Sequence, residues 1–342
     1  MSNFTDIYGH NKIKEHLQSA IALGKVSHAY IINGGLGSGK KMLAQLFAKT
    51  LQCEQCQKAV EAGDTEISHM NPCNECHSCG QTDSMNQPDI IWVRHEKPAS
   101  IGVDDIRDQV IGDIQIKPYS SKYKIYIIDE AEKMTVQAQN ALLKTIEEPP
   151  AYGIVILLTT NADIFLQTIL SRCVLLDLKP VEDDLVVKYL KDHFQTTDHE
   201  CRFAAAFAQG KIGRAISIVE STEFAKLKEE VLHICKNAKE MSSSEIMAEV
   251  KNIASYKLTI NDYLDLMAMW YRDVLMFKST NNTNLIIFKD ELSELKNQAE
   301  VVSYEGLDDI LNSIDKVKIR LKANVNFDLV IELLIMAIKE NL

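Results

Sequence analysis

The sequence predicts an N-terminal α/β domain built on a parallel sheet, with helical domains after it. Three features carry that expectation. A glycine-rich turn stands between a short apolar strand and an amphipathic helix. Further β-branched runs alternate with helical patterns. Beyond Pro180 the strand signal stops and helical periodicity takes over.

Residues 11–23 read as an amphipathic helix, with Ile13, Leu17, Ile21 and Leu23 near helical spacing. Residues 29–32 form a short apolar strand, followed at once by Gly34-Gly35-Leu36-Gly37-Ser38-Gly39-Lys40. Met42, Leu43, Leu46 and Phe47 then give the apolar face of a helix, so strand, turn and helix open a βαβ unit. Residues 90–93, 125–128 and 154–158 are short, β-branched and almost wholly apolar, as strands covered on both faces tend to be. Residues 135–148 place Ala138, Ala141, Leu142 and Ile146 on one helix face. Pro149-Pro150 ends that helix, because the residue before a proline is pushed out of the α region. A chain of 342 residues exceeds one ordinary core, and three domains are expected. These are an α/β core over residues 1–178, a small helical lid over 179–221 and a helical bundle over 222–342.

With 37 basic against 48 acidic residues the formal charge is −11, which argues against a free-standing, electrostatically driven nucleic-acid binder. A subunit touching DNA through one small patch stays compatible with it. No apolar run reaches membrane-spanning length, and residues 1–10 show no basic-then-apolar leader, so a cytoplasmic protein with no membrane contact is expected. Five of the eight cysteines lie between Cys53 and Cys79, which in a reducing compartment favours a metal site over disulfides.

Gly34, Gly37, Gly39 and Lys40 match the phosphate-loop pattern of a nucleotide site. Such glycines let backbone N–H groups turn inward around phosphate oxygens, and Lys40 would neutralise them. The next residue is normally a serine or threonine that holds magnesium, but here it is Lys41, so the ion would lose a ligand. Residues 125–128 end in Asp129 and Glu130, the layout in which one carboxylate supports magnesium and the next polarises a water. An acidic pair at a strand end is often only a solvated turn; its pairing with the loop favours the nucleotide reading.

Cys73, Cys76 and Cys79 are spaced to converge on one tetrahedral zinc, and a fourth thiolate closes the site. That ligand is Cys53 or Cys56, with Cys53 chosen. His69 and His77 are substitutes that more commonly stay solvated. Four sulfurs leave no open coordination position, so the expected zinc, in a module over residues 53–79, is structural.

Four segments resemble the clamp-loader branch of the AAA+ ATPases. They are Ser27-His28-Ala29-Tyr30, the inserted cysteine module, the run Asn140-Ala141-Leu142-Leu143-Lys144-Thr145-Ile146-Glu147-Glu148-Pro149-Pro150, and Ser171-Arg172-Cys173. The match is strong to about residue 220. The resemblance implies that Arg172 is an arginine finger completing a neighbouring subunit's ATP site, and that Thr160 occupies the position sensing the γ-phosphate. It also implies that the C-terminal bundle packs in a collar.

Within that family, motor subunits of gamma or tau type resemble active ATPases, with a threonine closing the loop and a sensing arginine in the lid. Here Lys41 and Gly213 stand at those places, and Arg214 comes one residue late, rotated by about 100° on a helix. No proline- or charge-rich extension of the kind that tau carries is expected within these residues. The resemblance is therefore to the delta-prime type, a stator of the DNA polymerase III clamp loader, with the ATP-hydrolysing motor as the alternative. It implies gamma/tau and delta partners in a hetero-pentamer that loads the sliding clamp onto primer-template DNA. ATP hydrolysis by this chain and a polymerase site are not expected.

Overall fold

The computed structural model describes residues 3–95 and 97–342. It falls into two compact units, Met1–His193 with Ala208–Ala215, and Phe194–Phe207 with Ile216–Leu342.

The first unit is built on five parallel strands: β1 (Ala29–Asn33), β2 (Ile90–Val93), β3 (Lys124–Ile128), β4 (Gly153–Thr159) and β5 (Val174–Asp177). Their order is β2-β3-β4-β1-β5, which makes this the AAA+-like α/β domain that the resemblance implies. Four strands lie where the apolar runs place them. β5 has no counterpart among those runs. It is a four-residue edge strand of mixed exposure, so it carries neither a continuous nor a cleanly alternating pattern.

Alternation sorts each strand's side chains between two cores. Tyr30, Ile32, Ile125, Ile127, Ile154 and Ile156 point to one face, where Leu43, Leu46 and Phe47 of the helix Lys40–Gln52 cover them. Ile31, Tyr126, Ile128, Val155 and Leu157 point to the other, against Ala138, Leu142 and Ile146 of the helix Val136–Glu147. Thr135 caps that second helix, its side chain accepting from the Ala138 N–H. The segment Ser27–Tyr30 is a structural joint: Tyr30 Oη accepts from the Ser27 N–H at 2.8 Å, and His28 Nδ1 lies 2.9 Å from the Gly153 carbonyl.

Between the helix Lys40–Gln52 and β2 the chain inserts a module with helices Glu54–Glu61 and His77–Asp83. One buried ammonium fastens it. Lys49, only 1% exposed, donates to both Asp83 carboxylate oxygens at 2.6 and 2.7 Å and to Asn74 Oδ1 at 2.7 Å.

The second unit is helical. Helices Thr222–Asn237, Ser243–Ile253, Ile260–Thr280, Leu292–Val301, Tyr304–Lys322 and Phe327–Asn341 enclose a core that includes Leu264, Trp270, Tyr271, Leu307 and Leu334. Inside it Trp270 Nε1 donates to Gln298, whose amide donates to the Cys235 carbonyl, a chain of bonds that satisfies these polar groups within the apolar core. Among the described residues no helix is long and apolar enough to cross a membrane.

Removing the half-exposed Asp83 carboxylate leaves the buried Lys49 ammonium with Asn74 alone, at the cost of a charged hydrogen bond. Asp83→Ala is therefore expected to lower the unfolding free energy by about 1.5 kcal/mol in urea denaturation. A loss below about 0.5 kcal/mol, the size of an ordinary surface change, would show that Lys49 does not hold the module.

Candidate functional site

The glycine-rich turn follows β1 and leads into the helix Lys40–Gln52. Gly37 (φ 77°) and Gly39 (φ 92°) take left-handed backbone, where a side chain is strained. Gly37 also has no room for one, since an added Cβ would lie 2.7 Å from the Arg214 backbone nitrogen. Its carbonyl accepts from the Gly213 N–H at 2.8 Å, so the turn and the segment around residue 213 are bonded through backbone. Lys40 Nζ folds over the turn and donates to the carbonyls of Gly34 and Gly35. Burial holds its ammonium below the usual lysine range, while Glu132 and Asp129 oppose that shift.

Lys41 settles the magnesium question. Its Nζ lies 2.6 Å from Asp129 Oδ2, on the carboxylate that would support the metal. Lys41 is open to solvent, so a divalent ion about 4 Å from its ammonium would be disfavoured by about 2 kcal/mol at the dielectric constant of water. Lys41 is 67% exposed, so the pair itself adds only about 0–1 kcal/mol of stability. Swinging the lysine away would still leave the ion without a hydroxyl ligand. The residues present do not fit magnesium.

Glu130 adopts left-handed backbone (φ 49°) and accepts from Lys133 Nζ at 2.7 Å, with His95 Nε2 at 3.8 Å. Thr160 follows β4, and its hydroxyl donates to Glu132 Oε1 at 2.8 Å. Burial pushes Glu132 up, but hydrogen bonds from its own backbone and from Thr160 and Thr159 outweigh it and hold the carboxyl below the usual range. The strand-end motif in the sequence stops at Glu130 and passes over Glu132, although a third carboxylate two residues on is a signal of its own. The sheet order places Asp129, Thr160 and the glycine turn at the same end of three adjacent strands.

Arg172 stands in the turn between the helix Gln167–Leu170 and β5. Its Nη2 lies 3.1 Å from Glu147 Oε1, and its Nη1 donates to the Thr168 carbonyl at 3.1 Å and to Ser171 Oγ at 3.2 Å. The side chain is 41% exposed. Glu147 closes the helix Val136–Glu147. Its pairing with Arg172 joins two segments that the sequence singles out separately.

Cys53, Cys73, Cys76 and Cys79 come together, their Sγ atoms all within 4.8 Å of one another. A tetrahedral ion with metal–sulfur bonds of about 2.3 Å needs sulfurs about 3.8 Å apart, and Cys73 and Cys79 are at 4.0 Å. The Cys73 N–H donates to Cys53 Sγ, and the Cys76 N–H to Cys73 Sγ, both at 3.3 Å. Such N–H···S bonds stabilise thiolate, the form that binds metal. A hydrogen bond from Cys79 holds Cys53 well below the usual thiol range, and Cys79 is correspondingly raised. Cys56 takes no part: it lies 3.9 Å from Met70 Sδ, and burial pushes its thiol up to about 12. The chemistry of the four sulfurs fits a metal ion such as zinc. His69 pairs with Asp64 at 2.8 Å and stands outside the cluster.

Known proteins resemble this chain along most of its length. The family described as "DNA polymerase III, delta subunit" matches residues 9–182, and "DNA polymerase III, delta subunit, C terminal" matches residues 223–340. The Bacillus subtilis DNA polymerase III subunit delta' is 27% identical over 333 residues, covering 96% of each chain. The tau subunit of the same organism is 27% identical over 342 residues; the match covers 92% of this chain but only 57% of that relative's length. A solved DNA polymerase III gamma subunit-related protein from Thermotoga maritima is 19% identical, covers 96% of this chain and 99% of its own, and has a TM-score of 0.38. With one family match spanning more than half of its residues and a second covering the helical unit, the chain belongs to the DNA polymerase III delta subunit family.

Proposed function

We propose that this chain is a clamp-loader subunit of delta-prime type, which lends Arg172 to the ATP site of a neighbouring subunit and does not hydrolyse ATP itself. One contrast carries the reading. The chain's own phosphate loop has a lysine on the magnesium carboxylate, whereas the arginine beyond it is half exposed and oriented by Glu147. A guanidinium presented to a developing phosphoryl charge is worth about 10³–10⁵ in rate. The two roles belong on different subunits, because Arg172 pairs with Glu147 and not with the chain's own turn.

The partners in this reading are gamma/tau and delta subunits in a cytoplasmic hetero-pentamer that opens the sliding clamp and sets it on primed DNA. Residues 1–178 would form the AAA+ core, 179–221 the lid and 222–342 the collar. The C-terminal family match, which begins at residue 223, supports that last boundary. Cys53, Cys73, Cys76 and Cys79 would hold a structural zinc, whose four-sulfur shell leaves no position for catalysis. The tau relative's match over 92% of the chain favours a second reading, an active motor. Phosphate release by the chain alone, independent of other subunits, would select it.

In a reconstituted complex, Arg172→Ala is expected to leave assembly intact by gel filtration while lowering ATP turnover by about 10³-fold. Unchanged turnover would remove the finger role. Metal analysis of the purified chain is expected to find about one zinc, lost together with much of the thermal stability when Cys73 and Cys76 are replaced by serine. Metal-free protein of undiminished melting temperature would contradict the zinc assignment.

A further inference from the structure

The phosphate loop does not fit magnesium, yet its surroundings are not those of a discarded site. Lys41 sets its ammonium 2.6 Å from Asp129, where a divalent ion would sit. Lys40 lies over the turn, bonded to the carbonyls of Gly34 and Gly35. Lys211 borders the same stretch, its Nζ 3.6 Å from where a Cβ on Gly35 would stand. Ser38 Oγ, inside the turn, is buried and has no hydrogen-bond partner among the described residues. An orphaned hydroxyl of this kind is costly unless something else accepts or donates to it.

We propose that the loop binds the polyphosphate of a nucleotide without any divalent cation, the Lys41 ammonium supplying one positive charge where a metal ion would bring two. Lysine is well matched to that role. Its ammonium is a compact point charge that pairs with phosphate oxygens without the fixed geometry an octahedral ion demands. Asp129 then positions an ammonium, where in a magnesium site it would position a metal. With Lys133 counted, four lysines face Asp129, Glu130 and Glu132 around the turn, a small positive excess ahead of an anionic ligand. No step of hydrolysis is implied, since the attacking water would lack both the metal and Glu130, which is tied to Lys133. The inference deepens the reading of a nucleotide loop that does not hydrolyse ATP; it stands apart from the role given to Arg172.

The full-length chain can be titrated with a fluorescent mant-ATP in magnesium and in EDTA, with inorganic tripolyphosphate as competitor. Wild-type affinity is expected to agree within about twofold between the two buffers, and tripolyphosphate to displace the probe. Lys41→Gln, which removes the charge at an exposed position, is expected to bind about tenfold more weakly in EDTA. Lys41→Thr, which restores a hydroxyl ligand, should bind about tenfold more tightly with magnesium than without it. Wild-type binding that requires magnesium, failure of tripolyphosphate to compete, or no binding of either probe at millimolar concentration would each overturn the proposal. None of those results touches the turnover of a complex carrying Arg172→Ala, so this inference and the assignment of the finger can fail separately.

Discussion

Every residue of β4, Gly153–Thr159, is buried, and a strand with no exposed position must be covered on both faces. That constraint determines the rest of the first unit. The helix after β1 is laid on one face and the helix Val136–Glu147 on the other, each bringing an apolar stripe to the sheet. Because β4 lies between β1 and β3, the glycine turn after β1, Asp129 after β3 and Thr160 after β4 emerge side by side. The site is thus a consequence of how the central strand is buried. Its members are distant in sequence and meet only through the strand order.

What distinguishes this site is how its charges are satisfied. Asp129 has Lys41, Glu130 has Lys133 and Glu132 has Thr160, so each carboxylate that could serve a metal or a water is engaged from within the chain. Arg172 is held by a pair of similar exposure, together with the Thr168 carbonyl and Ser171 Oγ. Its partner Glu147 is 44% exposed, and a pair so open to water is worth about 0–1 kcal/mol, little enough to be exchanged for a stronger anion. Together these features fit the proposed subunit, in which the chain's own carboxylates are engaged from within and Arg172 serves a neighbour. The cysteine module is fixed independently, by the buried Lys49 ammonium and its bonds to Asp83 and Asn74.

Much of this is legible in the residues. The apolar runs at 90–93, 125–128 and 154–158 mark three strands because a doubly covered strand cannot hide its composition. Spacing brings Cys73, Cys76 and Cys79 together, but it cannot choose between Cys53 and Cys56. The choice is made by the end of the helix Lys40–Gln52, which leaves Cys53 at its C-terminal cap facing the triplet, while Cys56, one turn on, turns to Met70. β5 is hidden because an edge strand needs neither alternation nor uniform apolarity. The contacts of Lys41 with Asp129, Glu132 with Thr160 and Glu147 with Arg172 are beyond reach for a common reason. Each joins residues on different elements, and no local pattern encodes which charge will face which. In the sequence, the lysine at position 41 reads as the loss of a ligand; only the folded chain shows its ammonium on the carboxylate that a metal would use.

In the proposed function the chain's arginine, not its own phosphate loop, takes part in the chemistry. The most direct measurement is a structure of the assembled complex with a non-hydrolysable nucleotide on the neighbouring subunit. The Arg172 guanidinium is expected to have left Glu147 and to lie about 3 Å from a γ-phosphate oxygen held by that neighbour. An Arg172 still paired with Glu147 and open to solvent, with the partner's nucleotide out of reach, would contradict it.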